Sequence, residues 1–207
     1  MSAAPDARRW IFITHANVLL DPKVPVPEWP LSPRGRQRMR LGLRQPWVPG
    51  LTAVYSSRER KAIDGAQLLA DHCGLPLMTR AELGENDRSA TGFLPPPQFE
   101  RMADAFFARP HESVRGWETA ADAQARIVAA VQAIDRDERS NGAIAVVSHG
   151  AVGTLLHCWL SGRDISRRWD QPGNGGGNWY AFTLEPRQAL GHWQPLDEPA
   201  PLQAAGA

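Results

Sequence analysis

Ala143-Ile-Ala-Val-Val-Ser-His149-Gly150 is the stretch that decides the fold. Residues 143–147 are apolar without a break and rich in β-branched side chains. That pattern predicts a strand buried on both faces, not one with a solvated side. The strand stops at Ser148-His149, and Gly150 opens a helix expected to reach about Leu160. A second run of this kind, Trp10-Ile-Phe-Ile13, ends at Thr14-His15-Ala16-Asn17.

Outward from these two strands, helices and strands alternate. Ser32-Pro33 has the N-cap and first-turn residues of a helix that continues to about Arg44. Its arginines, Arg34, Arg36, Arg38, Arg40 and Arg44, read as the decoration of a solvent-facing surface. Thr52–Tyr55 is a further strand, closing on Ser56-Ser57. A helix from Arg58 to Cys73 follows, with Ala62, Ala66, Leu69 and Ala70 at helical spacing and Gly74 as C-cap. Leu75–Met78 suits a short strand, 98–108 and 119–138 suit helices, and Asn178–Leu184 suits a late strand. The expected fold class is therefore α/β: a three-layer α/β/α sandwich with a mainly parallel central sheet. Such sheets bind ligands at the carboxyl ends of their strands. Here two strand ends carry His15 and His149, and a third leads into Arg58, Arg60 and Lys61.

Bulk properties exclude several classes. A net charge of +1 creates no field that would recruit nucleic acid or an anionic membrane. Cys73 and Cys158 are the only cysteines, far apart, which fits free thiols in a reducing compartment rather than a disulfide scaffold. The apolar run at Trp10–Ile13 is too short for a signal peptide, and no segment approaches the roughly 20 apolar residues of a membrane span. The reading is a soluble cytoplasmic protein with one domain over 1–207, in which 81–118 is a substrate-covering insertion and 195–207 a frayed tail. A homodimer is compatible with it, though no pattern encodes the oligomeric state.

Two imidazoles among cations are suited to phosphoryl transfer. One imidazole attacks phosphorus while the surrounding charges hold the non-bridging oxygens. A positioned acid must protonate the leaving alkoxide; Glu85 is the first choice, with Glu82 and Asp87 as alternatives. Other motifs are weaker. Gly173-Asn-Gly-Gly-Gly-Asn178 lacks the Lys-Ser/Thr of a phosphate loop and reads as a flexible turn. No Gly-x-Ser-x-Gly elbow accompanies Ser148. His157 and Cys158, adjacent on a helix, point to different faces, against a zinc site.

These elements, in this order, resemble the histidine phosphatase (phosphoglycerate mutase-like) superfamily. Ile-Phe-Ile-Thr14-His15 is similar to the family's strand ending in Arg-His-Gly, and Pro30-Leu-Ser-Pro-Arg-Gly35-Arg-Gln to its Leu-Thr-x-x-Gly-x-x-Gln helix start. Tyr55-Ser-Ser-Arg-Glu-Arg-Lys-Ala62 resembles its Ser-Ser-x-x-x-Arg-Ala element, Leu83-Gly-Glu85 its Leu-x-Glu, and Val146-Val-Ser-His149-Gly150 its second histidine motif. The resemblance implies hydrolysis of a small phosphate ester through a phosphohistidine on His15. It also implies that His149 stabilises the transferring group, that Glu85 serves as acid and then base, and that no metal or organic cofactor takes part. A mutase is disfavoured, since the chain is short for the loops that shield an intermediate from water. Three positions depart from the pattern: Thr14 replaces its arginine, Ala16 its glycine and Lys61 its second arginine. Arg58, Arg60 and Lys61 are expected to make good the charge, with Asn17 and Ser57 as neutral donors. The missing arginine also permits an alternative, a noncatalytic phosphate-binding or regulatory module on the same fold.

Overall fold

Strand registers follow from which residues are apolar on which face, and here they place the two histidines side by side. The computed structural model describes residues 7–199. Strands β1 (Trp10–Thr14), β2 (Leu51–Ser56), β3 (Leu77–Thr79) and β4 (Ala143–Ser148) run parallel, and β5 (Asn178–Leu184) joins β1 antiparallel. Two short strands, β6 (Arg187–Ala189) and β7 (Gln194–Pro195), pair antiparallel with β5. The sheet order is β3-β2-β4-β1-β5-β6, with β7 on β5. The mainly parallel sheet matches expectation; β6 and β7 are too short to have left a pattern in the sequence.

Residues of β1 alternate between two apolar cores. Trp10 and Phe12 join the cluster under α3 (Pro96–Ala108), α4 (Ala120–Asp137) and α5 (Gly150–Leu160), with Phe106, Ile127, Val131 and Leu155. Ile11 and Ile13 join the opposite cluster under α1 (Pro33–Gly42) and α2 (Arg60–Cys73), with Met39, Ala66 and Leu69. This two-sided burial is why both central strands read as unbroken apolar runs. Full burial of one such side chain contributes roughly 1.5–3 kcal/mol, so the two cores fix the strand ends firmly.

Local signals set the helix ends. The Ser32 hydroxyl accepts from the Gly35 amide at 3.1 Å, Pro33 takes the first turn, and Gly74 closes α2 in the left-handed conformation at φ 66°. The Thr119 side chain caps α4 through the Asp122 amide. Helix α1 ends two residues before Arg44, and β3 begins two residues later than expected.

Three expectations are corrected. Arg38 does not face solvent: it is buried, forks onto Asp197 at 2.9 Å and donates to the Gly176 carbonyl at 2.8 Å. Its neighbours Gly35, Met39 and Gly42 are buried too, so the inward face of α1 includes an arginine. The chain from 195 to 199 is not frayed. The Leu196 amide donates to Gly177, Gln45 donates to the Leu196 carbonyl at 2.8 Å, and Asp197 holds Arg38. Residues 200–207 lie outside the described residues. The glycine run before β5 is not a loose turn. Gly175, Gly176 and Gly177 all have positive φ (87°, 75° and 66°), and a Cβ on Gly176 would sit 2.2 Å from the His15 carbonyl oxygen. Glycine is required there so that two stretches of backbone can touch beneath the histidine.

Candidate active site

The β1–β4 register pairs Thr14 with Ser148, so His15 and His149 each sit one residue past a matched pair. The His15 amide donates to the Ser148 carbonyl at 3.0 Å, and the rings meet edge-to-face with centroids 5.2 Å apart. From β2, the Ser57 amide donates to the Val147 carbonyl at 3.1 Å, bringing a hydroxyl to the same rim.

His15 Nδ1 lies 2.9 Å from the carbonyl of Ala16. A ring nitrogen facing a carbonyl must carry the proton, so Nδ1–H donates and Nε2 keeps its lone pair. Burial lowers the His15 pKa to about 4; the charges of Lys61 and Arg88 add to that, while the Ala16 carbonyl and Glu59 oppose it. The imidazole is neutral at pH 7, as a nitrogen nucleophile must be.

His149 is fully buried. Its Nε2 lies 2.7 Å from the Ser57 hydroxyl and 3.2 Å from Glu59 Oε1. An ionised carboxylate only accepts, so Nε2 carries the proton and Nδ1, which has no partner among the described residues, is bare. Burial holds the His149 pKa well below the usual imidazole range, against the pull of Glu59.

Glu59 is the residue that a reading of the charge run at 58–61 missed. It stands at the N-cap of α2, yet its carboxylate turns inward. Oε1 accepts from the Glu85 amide at 3.1 Å and faces His149 Nε2; Oε2 takes the ammonium of Lys61. Burial disfavours the charge, but His149, Lys61 and the Glu85 N–H outweigh it and hold the carboxyl at about 2. Lys61 also donates to the Val26 carbonyl at 2.8 Å and is buried. Its place on the buried α2 face with Gly65 and Leu69, at i+4 and i+8, was the available signal.

The remaining sequence-predicted residues are placed as follows. Glu85 accepts from the first-turn amides of α5, Val152 at 3.1 Å and Ala151 at 3.3 Å. Burial raises its pKa and Glu59 adds to the rise, while Arg88 and these amides work against it. Glu82 and Asp87 are exposed, and the Ser89 amide pulls the Asp87 pKa down. Arg58 is exposed. Arg60 points along the flank of α2 to Asp64 at 2.9 Å, which also holds Arg36. The Asn17 side-chain carbonyl accepts from Arg38 at 3.1 Å. Thr14, in the motif arginine's place, is buried; its hydroxyl donates to Gln171 at 2.8 Å and accepts from the Asn178 amide at 3.0 Å.

The loop carrying Glu85 is fixed from behind. Arg126 of α4 donates to the carbonyls of Glu82, Gly84 and Glu85 at 2.8–3.1 Å and pairs with Glu118 at 2.7 Å. Ser148 donates to the Leu83 carbonyl at 2.7 Å, tying the loop to β4. Arg88, three residues past Glu85, is a second residue that the sequence reading passed over. Among the described residues no cluster of three His, Cys, Asp or Glu side chains is arranged to hold a metal ion, and no helix is long and apolar enough to cross a membrane.

A neutral, tautomerically fixed imidazole, a second imidazole and a carboxyl of raised pKa thus stand together at the carboxyl end of the sheet. The chain belongs to the histidine phosphatase superfamily (branch 1), whose family model matches residues 23–190. Thr14-His15-Ala16, where the pattern is most altered, precedes that match. Among solved structures the chain is similar to a mycobacterial glucosyl-3-phosphoglycerate phosphatase with inorganic phosphate, at 21% identity, TM-score 0.72, and 93% and 100% coverage of this chain and that one. It is also similar to Bacillus stearothermophilus YhfR (22%, 0.70, 88% and 94%) and to a protein described as mycobacterial hydrolase 2 (20%, 0.69, 93% and 85%). No curated protein sequence matches it.

Proposed function

We propose that the chain is a phosphomonoesterase that hydrolyses a small organic phosphate through a phosphohistidine on His15. The observation that carries this is the Nδ1–H to Ala16 hydrogen bond, which leaves the lone pair of a neutral imidazole on Nε2. In the first step Nε2 attacks phosphorus, a P–N bond forms, and the P–O bond to the leaving group breaks. Glu85, protonated more readily than an ordinary carboxyl, passes its proton to the departing alkoxide. In the second step Glu85 takes a proton from water, whose oxygen attacks phosphorus. The P–N bond breaks, releasing inorganic phosphate and neutral His15. His149 stabilises the transferring group, with Ser57 donating beside it and Lys61 supplying charge from beneath. Arg58 is exposed and, among the described residues, has no side-chain partner; Arg60 and Asn17 would have to leave Asp64 and Arg38.

The substrate enters beneath a cover made by 81–118 and the proline-rich 21–33 loop, which meet where Trp29 and Phe93 pack edge-to-face at 5.5 Å. The reaction needs no metal or organic cofactor, and we place it in the cytoplasm. The phosphatase named among the similar structures supports the reaction class.

One observation favours the second reading, a noncatalytic phosphate-binding module. His149 Nε2 is already engaged by Glu59, a carboxylate that repels an incoming phosphate. The two readings separate in a turnover screen over sugar, glycerate and aryl phosphates with wild type and His15→Ala. Hydrolysis by wild type alone supports the phosphatase. Equal, background rates across the panel would transfer the conclusion to the binding module.

A further inference from the structure

Arg88 is held at the site by a built support. The loop from Glu82 to Arg88 is clamped by Arg126 and Ser148, and the Asp87 amide donates to Glu118 at 3.0 Å. The Arg88 carbonyl accepts from the amides of Thr91 and Gly92, each at 3.1 Å, closing a turn. The Arg88 guanidinium lies over Phe99 at 5.1 Å and Trp117 at 5.7 Å. Those rings pack on each other, and the Trp117 indole N–H is anchored on Thr91 at 2.9 Å. A planar cation over aromatic faces is oriented without spending its N–H donors. Among the described residues, no hydrogen bond or ion pair occupies the Arg88 side chain. Arg60 and Arg126 are by contrast committed to carboxylates.

Arg88 stands three residues past Glu85 on this clamped loop, and its charge lowers the pKa values of His15, His149 and Glu85 alike. The last position of β1, which could have supplied a guanidinium, carries Thr14, whose hydroxyl is bound to Gln171 and Asn178.

We infer that Arg88, delivered on the Phe99–Trp117 shelf, is the guanidinium that grips the non-bridging oxygens of the phosphoryl group and replaces the arginine absent at position 14. The assignment rests on the phosphate-handling reading above. A fork of N–H donors fits two phosphoryl oxygens at once. It also brings positive charge to a pocket that holds the Glu59 carboxylate.

Calorimetric titration with inorganic phosphate, alongside turnover of an aryl phosphate, tests the assignment. Arg88→Met keeps an apolar stem over the two rings and removes the charge. Arg88→Gln is run beside it in case Met disturbs the loop, and Arg88→Lys restores a point charge. Phosphate affinity should fall by about ten- to a hundredfold in the Met and Gln variants, with thermal melts near wild type, and Arg88→Lys should recover part of it. Phosphate affinity within twofold of wild type in both neutral variants would overturn the assignment, whatever the turnover. A wild type that binds phosphate through Arg88 but hydrolyses nothing would retire the phosphatase reading and leave Arg88 standing. A wild type that does not bind phosphate would overturn both.

Discussion

Replacing Glu59 by Gln removes a buried negative charge while keeping the side chain's shape and the carbonyl that accepts from the Glu85 amide. The carboxyl lies at about 2 in the folded protein against 4.5 for an ordinary glutamate. At 1.36 kcal/mol per pKa unit, that depression contributes about 3 kcal/mol to stability at pH 7. The sign follows from the depression: this stability is fully present above pH 4.5 and is lost as pH falls toward 2. Urea unfolding of Glu59→Gln should therefore show a deficit of about 3 kcal/mol at pH 7, shrinking to about 1 kcal/mol at pH 3. The same substitution removes the charge that repels phosphate from His149, so inorganic phosphate should bind the variant more tightly. A variant as stable as wild type, or one whose deficit does not change with pH, would refute the picture of an ionised carboxylate held by Lys61 and the Glu85 amide.

Other expectations follow from the geometry. Glu85→Gln should lower kcat on an alkyl phosphate by roughly 10²–10⁴-fold and far less on p-nitrophenyl phosphate, whose phenolate leaves without a proton; equal losses on both would deny Glu85 the role of acid. Gly176→Ala places a Cβ 2.2 Å from the His15 carbonyl oxygen at a φ of 75°. It should cost roughly 1–3 kcal/mol of stability and reduce kcat by about tenfold or more, read by thermal melts and kinetics; wild-type kinetics would mean the glycine run does not position His15.

The architecture was legible because β1 and β4 are buried on both faces, a condition that writes unbroken apolar runs into the sequence. With those strands adjacent and parallel, the histidines that follow them had to meet. What stayed hidden are charged residues whose direction depends on tertiary partners. Glu59 sits between Arg58 and Arg60 in a run that reads as solvated, and only the approach of His149, just past β4, and of Lys61, two residues on, draws its carboxylate inward. Arg38 looked like one more surface arginine on α1, although Gly35 and Gly42 on the same face marked the side that packs. Arg88 belongs to a loop without periodicity, and its place is set by Phe99 and Trp117, 11 and 29 residues further along the chain. The glycine run had no local signal of what its backbone would touch.

The central claim, covalent catalysis by His15, is tested most directly by trapping the intermediate. Wild type and His15→Ala would be mixed with an aryl phosphate, quenched within a turnover and examined by intact-protein mass spectrometry, with fragmentation to place any adduct. The account predicts one phosphoryl group on wild type, located on His15, lost in acid as a phosphohistidine is, and absent from His15→Ala. Turnover by wild type with no adduct, or an adduct that persists in His15→Ala, would contradict it.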